Sequence, residues 1–244
     1  MKKFWTRSVL GAAALVCAGA ANAFVIDFEN VGTSGAPFAP LMADGDYVTQ
    51  GGYFVNTQDV FAGGGLIAQL SLGSDPTSCL SGACPGGNTS NFLSVYNDGL
   101  VHIGLLSNQS MVFGGLSAAY IATPGNPAGS TVYLTIEADR ADGSFAAFYY
   151  PLLSNGSFKS IGTTGGTPLG GTGTLTSGDV TDIYVYSYFC NGATGSCNRF
   201  NTNLGQFALD NISITAAVPE PSEWMLMLAG LGAVGAAARR RRSV

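Results

Sequence analysis

Val132-Tyr133-Leu134-Thr135-Ile136-Glu137 places an apolar side chain at every second position, and short segments of this kind recur along the chain. A period of two is the pattern of a strand with one buried face. Between these segments the chain is rich in Gly, Asn, Ser and Thr, with 35 glycines in 244 residues. That is turn chemistry, and the aromatic and β-branched residues that recur beside it argue against disorder. The pattern predicts strands over 24–29, 47–55, 66–71, 92–96, 101–105, 110–122 (with a turn at Gly114-Gly115), 131–138, 145–150, 181–189 and 206–215. Residues 131–150 read as a hairpin turned by Ala141-Asp142-Gly143-Ser144. Residues 162–178, rich in Gly and Thr, read as a long exposed loop or a weak edge strand. No internal repeat is present. About ten antiparallel strands in one domain imply two packed sheets, an all-β, jelly-roll-like β-sandwich.

The two ends have a different composition. Lys2, Lys3 and Arg7 precede an apolar stretch from Val9 to Ala20, and Ala21-Asn22-Ala23 is a small-x-small site. Residues 1–23 are therefore expected to be a signal peptide cut between Ala23 and Phe24. Cys17 follows bulky Val16, a poor setting for a lipidated cysteine, and reads as part of the discarded apolar core. At the other end come Pro219-Glu220-Pro221, an uncharged apolar run from Trp224 to Ala238, and then Arg239, Arg240, Arg241 and Arg242. As a helix that run spans about 22 Å, against roughly 30 Å for the hydrocarbon core of a bilayer. It is expected to be a short transmembrane helix, with the arginines holding its far end in the cytoplasm.

Val218-Pro219-Glu220-Pro221, the short apolar helix and the terminal Arg cluster resemble the PEP-CTERM sorting signal of Gram-negative bacteria. The resemblance covers residues 218–244. It implies recognition and processing by an exosortase at the cell envelope, membrane attachment through the C-terminal helix before processing, and a place among proteins that accompany exopolysaccharide, biofilm and floc formation. The strand Phe24-Val25-Ile26-Asp27-Phe28-Glu29 is similar to the opening strand of many such ectodomains. Gln206-Phe207-Ala208-Leu209-Asp210-Asn211-Ile212-Ser213-Ile214 resembles the closing strand of their Gln-Phe-x-x-Asp group, and also the last strand of carbohydrate-binding jelly rolls.

Setting both ends aside exposes the character of residues 24–217. They keep three basic side chains (Arg140, Lys159, Arg199) and 13 acidic ones, the chain's 15 less Glu220 and Glu223, so the net charge is −10 where the whole chain has −5. Three scattered basic residues give no footprint for a polyanion, which excludes nucleic acid. An acidic polysaccharide would need bridging cations. Cys79, Cys84, Cys190 and Cys197 remain, an even number in an exported chain, so disulfides are expected. Four cysteines allow three connectivities; Cys79–Cys84 with Cys190–Cys197 is the simplest, each pair flanking a Gly-rich turn. The spacings do not suit zinc.

Several groups are candidates for chemistry. In the closing strand Phe207 and Leu209 alternate, and so do Ile212 and Ile214, but one residue out of phase, which a β-bulge at Asp210-Asn211 would produce. In the opening strand Asp27 and Glu29 share a face if the segment is extended. If the first and last strands are neighbours, Asp27, Glu29 and Asp210 are candidate ligands of a structural calcium, which takes oxygen ligands; otherwise they are solvent-facing and turn residues. Asp44-Gly45-Asp46 lacks the further ligands of a calcium loop and reads as an acidic turn. His102, the chain's one histidine, lies between Val101 and Ile103 and points to the opposite face, with no triad to argue from. Tyr184, Tyr186 and Tyr188 form a stripe that fits either a sugar-stacking platform or a face covering the core. No catalytic motif stands out. The expectation is a non-enzymatic envelope or matrix protein, with a calcium-stabilised carbohydrate-binding module as the alternative and a glycan hydrolase or lyase as the third reading.

Overall fold

The computed structural model describes residues 23–31 and 41–217, apart from short breaks at 61–64, 74, 76, 81–83, 124–125, 155, 178 and 201, together with residues 227, 228 and 230–232. In chain order the strands are β1 (Ala23–Ile26), β2 (Leu41–Met42), β3 (Tyr47–Gln50), β4 (Tyr53–Gln58), β5 (Ala68–Ser71), β6 (Phe92–Val95), β7 (Leu100–Leu105), β8 (Met111–Tyr120), β9 (Thr131–Arg140), β10 (Phe145–Pro151), β11 (Lys159–Gly162), β12 (Thr167–Gly171), β13 (Val180–Cys190), β14 (Cys197–Asn198) and β15 (Phe207–Ala216). The ladders between them are antiparallel and form one continuous network. Its two halves meet at a single pairing, Val180 with Met111. One half runs β12-β10-β9-β13-β7-β4-β3, with β14 on the end of β13. The other runs β11-β8-β15-β6-β5-β2, with β1 on the second half of β15.

Alternation explains why the halves face one another. On β9, Val132, Leu134, Ile136 and Ala138 are buried, and on β13 so are Ile183, Val185 and Phe189. They join Phe113, Phe207, Leu209, Ile212 and Ile214 of the second half in one core. Among the described residues this buried core lies between Ile26 and Ile214. This is the all-β sandwich that the strand pattern predicts.

Local geometry departs from the expectations at two glycine pairs. Residues 47–55 are not one strand: Gly51 and Gly52, with φ of 60° and 87°, turn β3 back onto β4. Both signs are those a two-residue hairpin turn requires. At Gly114-Gly115 there is no turn; β8 runs through, with Gly115 at φ 134° and its backbone close to Ile161. The expected bulge is present at Asp210-Asn211: Asp210 pairs with Ser117 and Ser213 with Gly115, and Asn211 has φ 50°. It keeps Phe207, Leu209, Ile212 and Ile214 all buried. Residues 162–178 contain an exposed edge strand, β12.

Both disulfides have the simplest pairing, Cys79–Cys84 and Cys190–Cys197. The first belongs to a loop over the outer face of the β8-β15-β6 half, where Cys79, Phe92, Tyr96, Ala119, Ile121 and Ala208 form a second small core. The expected signal peptide, apart from Ala23 at the start of β1, lies outside the described residues, as do Pro219-Glu220-Pro221, the arginine cluster and most of the expected membrane helix. Residues 227, 228 and 230–232 are helical. Among the described residues no helix is long and apolar enough to cross a membrane.

Candidate functional site

With one outer face covered by the loop carrying Cys79–Cys84, the outer face of β10-β9-β13-β7-β4 is the open one. The ladders set its rows. Tyr184 lies opposite both His102 and Glu137, and Asp182 opposite Gly104 and Asp139. Tyr186 lies opposite Thr135, and Thr135 opposite Tyr149; Tyr188 lies opposite Tyr133. The whole tyrosine stripe is therefore on the outer face, while the intervening Ile183 and Val185 go to the core.

The three tyrosines have different surroundings. Tyr184 stacks on His102 with ring centroids 4.6 Å apart, and Phe54 meets His102 edge-on at 5.0 Å. Tyr186 is buried, and its hydroxyl donates to Glu137 Oε2 at 2.9 Å. Phe200 covers it, and the Arg199 guanidinium lies over the rings of Tyr186, Tyr188 and Phe200. Arg199 also donates to the Tyr188 hydroxyl at 3.1 Å. Tyr188 lines an open groove of about 280 Å³ together with Tyr133, Tyr149, Leu169 and the Cys190–Cys197 disulfide.

The loop that supplies Arg199 is fixed at both ends. The disulfide ties its start to β13. Buried Asp98 ties its far end, accepting from the backbone N–H groups of Thr202 (2.7 Å), Asn203 (2.9 Å) and Gly205 (2.9 Å). A buried carboxylate satisfied by several N–H donors makes a rigid anchor. The side of the groove formed by Tyr188 and the disulfide is thus preformed.

Beyond the groove the same face carries carboxylates. His102 Nε2 meets Asp182 Oδ1 at 2.7 Å. Asp139 is pushed above the usual carboxylate range, first by burial and then by the charges of Glu137 and Asp182. Burial and the same three carboxylates raise the Tyr184 phenol. His102 is a hydrogen-bonded, stacked face histidine, in keeping with its alternation in β7.

The expected calcium ligands sit elsewhere. β1 does pair with β15, Ile26 opposite Ile212. The strand ends there, however, and Phe28 turns into the core with φ 59°, so Asp27 and Glu29 do not share an extended face. Asp27 accepts from Gln50 Nε2 at 2.6 Å, and Glu29 from the Asn91 N–H at 2.7 Å. Asp210 is fully buried and accepts from Asn88 Nδ2 and Ser90 Oγ, both at 2.7 Å, and from the Asn211 N–H. These bonds pin the 88–91 loop across the first and last strands. Among the described residues no three His, Cys, Asp or Glu side chains group as a metal-ligand set. Asp44 and Asp46 close their own turn, accepting from the N–H groups of Asp59 and Ala43.

Sequence reasoning found the stripe but missed Tyr133, Tyr149, Leu169 and Arg199. The usable signal was the 131–150 hairpin, which carries Tyr133 and Tyr149 on its outward positions. Placing that hairpin beside the stripe requires the strand order.

Comparison with known proteins adds one firm match and one slight one. Residues 217–242 match the PEP-CTERM protein-sorting motif. No curated protein matches the chain. Among solved structures, the crystal structure of an agarase, AgWH50C, overlaps with a TM-score of 0.32 and 11% identity over 52% of this chain. The overlap spans 21% of that chain, too slight to bear on activity.

Proposed function

We propose that this chain, which carries the PEP-CTERM protein-sorting motif and with it the mark of export to the cell surface and processing by an exosortase, is a non-enzymatic polysaccharide-binding protein of the envelope or extracellular matrix. Its context would be the exopolysaccharide, biofilm or floc of a Gram-negative bacterium. The observation that carries the reading is the groove lined by Tyr133, Tyr149 and Tyr188 on the open sheet face. Aromatic rings offer sugar rings apolar contact area, and phenol hydroxyls add hydrogen bonds at the edge. The acidic remainder of the domain keeps it soluble outside the cell.

The test is binding of residues 24–217 to the producing organism's own exopolysaccharide. Saturable binding is expected, with Tyr188→Ala weakening it about tenfold, or ~1.4 kcal/mol. Absence of binding by the unaltered domain overturns the reading. Repeating the titration with calcium and with chelator checks a structural ion at Asp27, Glu29 and Asp210. Such an ion would have to displace the Gln50, Asn91, Asn88 and Ser90 donors. Deleting 218–244 is expected to abolish surface retention, and unchanged retention would remove the sorting part of the proposal.

A further inference from the structure

Glu137, Asp139 and Asp182 lie on the same outer face as the tyrosine groove, farther along β9 and β13. Among the described residues no Lys or Arg forms an ion pair with any of them, and the His102 Nε2 meets Asp182 at 2.7 Å. Arg140 is directed away, to the Thr172 and Thr174 carbonyls and Asp179. Among the described residues, two oxygens on this face have no hydrogen-bond partner: Asp139 Oδ1, on a part-exposed side chain, and the Oγ1 of Thr135, a residue with 0% exposure in the row of Tyr186 and Tyr149 that a ligand reaches only if those side chains shift. A buried polar atom without a partner is costly, and a ligand that supplies the missing bond recovers that cost.

The geometry points to a cationic glycan as the occupant of this face: an amino-sugar polymer with free amines, its ammonium groups set against Glu137, Asp139 and Asp182 and its sugar rings on the groove tyrosines. The inference rests on the glycan-binding reading above and names its ligand class. The carboxylates are spread along the strands and do not converge on one point, which suits repeating charges on a polymer better than a single metal ion. Tyr184 lies between Glu137 and His102, so an aromatic ring borders the acidic patch. Carboxylate beside aromatic ring is the arrangement that recognises ammonium groups. A neutral glycan would leave the patch uncompensated, and a polyuronate would be repelled by it and by the net charge of the domain. Binding an ammonium group would also offset the repulsion from Glu137 and Asp182 that adds to burial in raising Asp139.

The experiment is calorimetric titration of residues 24–217 with two hexamers at mildly acidic pH, one of glucosamine and one of N-acetylglucosamine. The free-amine hexamer is expected to bind at least about tenfold more tightly, the worth of one charge-assisted hydrogen bond. That preference should disappear in the double variant Glu137→Gln, Asp139→Asn, with affinity for the acetylated hexamer unchanged and thermal melting confirming the fold. Should the double variant not fold, the unaltered domain still decides, because the preference must shrink as salt is raised. Equal affinity for the two hexamers, a salt-independent preference, or a preference that survives in the double variant overturns the inference and leaves the glycan reading standing. Binding of neither hexamer overturns the inference alone, and failure with the native exopolysaccharide as well overturns both.

Discussion

Asp210 shows how one side chain takes a role that its neighbours in sequence do not announce. Its carboxylate is buried and held by Asn88, Ser90 and Asn211, yet burial still lifts it above the ordinary carboxylate range. A carboxyl raised in the folded state binds its proton more tightly there than in the unfolded chain, where its value is about 3.9. Its contribution to stability is therefore greatest below that value and is lost as pH rises through the folded value. Asp27, lowered first by its bond from Gln50, acts in the opposite sense: its contribution is present above the unfolded value and is lost as pH falls through the folded one. Asp210→Asn removes the first dependence. The melting temperature of the variant minus that of the unaltered protein is expected to increase from pH 4 to pH 7, and a flat or falling difference would refute the assignment. The pair Asp27 and Glu29 was legible as a carboxylate pair but not as a turn, because nothing in Phe24-Val25-Ile26-Asp27-Phe28-Glu29 shows that Phe28 leaves the strand to reach the core. His102 was legible from its immediate neighbours, since alternation in β7 alone decides its face.

Strands were legible wherever alternation decides burial, and less so where backbone conformation does. The change of phase across Asp210-Asn211 located the bulge in β15, because only an extra residue can bury Phe207, Leu209, Ile212 and Ile214 together. At Gly114-Gly115 the same glycine signal was misread as a turn, since an irregular strand and a turn use the same residue. Gly51-Gly52 was the reverse case, a real turn hidden inside apparent alternation. The bulge supplies a test at this scale. Asn211 has φ 50°, a left-handed conformation that asparagine tolerates and a β-branched residue does not. Asn211→Val is expected to destabilise the domain by about 2 kcal/mol in urea titration. A change below about 0.5 kcal/mol, the usual size for a surface substitution, would mean that the bulge relaxes freely.

At the scale of the molecule, alternation and turn chemistry disclosed a sandwich but not the order of its strands. The candidate face depends on that order. Tyr133 and Tyr149 come from one hairpin, Tyr188 and Arg199 from β13 and the loop after it, and His102 from β7. Only the ladder β10-β9-β13-β7 places them on one face. The same ladder fixes where that face stands relative to the tail. β15 ends with Ala216 opposite Met111, and Met111 also meets Val180 at the start of β13. The groove lies near the other end of β13, about 30 Å away for strand residues spaced at ~3.3 Å. Tension between a captured polymer and a tethered tail would therefore enter β15 along its own axis. β15 is flanked by β8 over its length and by β6 and β1 in turn, so such a pull loads many cross-strand bonds at once and cannot peel them one by one. Stretching single molecules from the groove end to residue 217 should give a higher rupture force than pulling residue 24 against residue 217, where β1 opens from β15 bond by bond. By its position in the sheet, the strand that leads into the sorting tail would serve as a mechanical clamp under such a load.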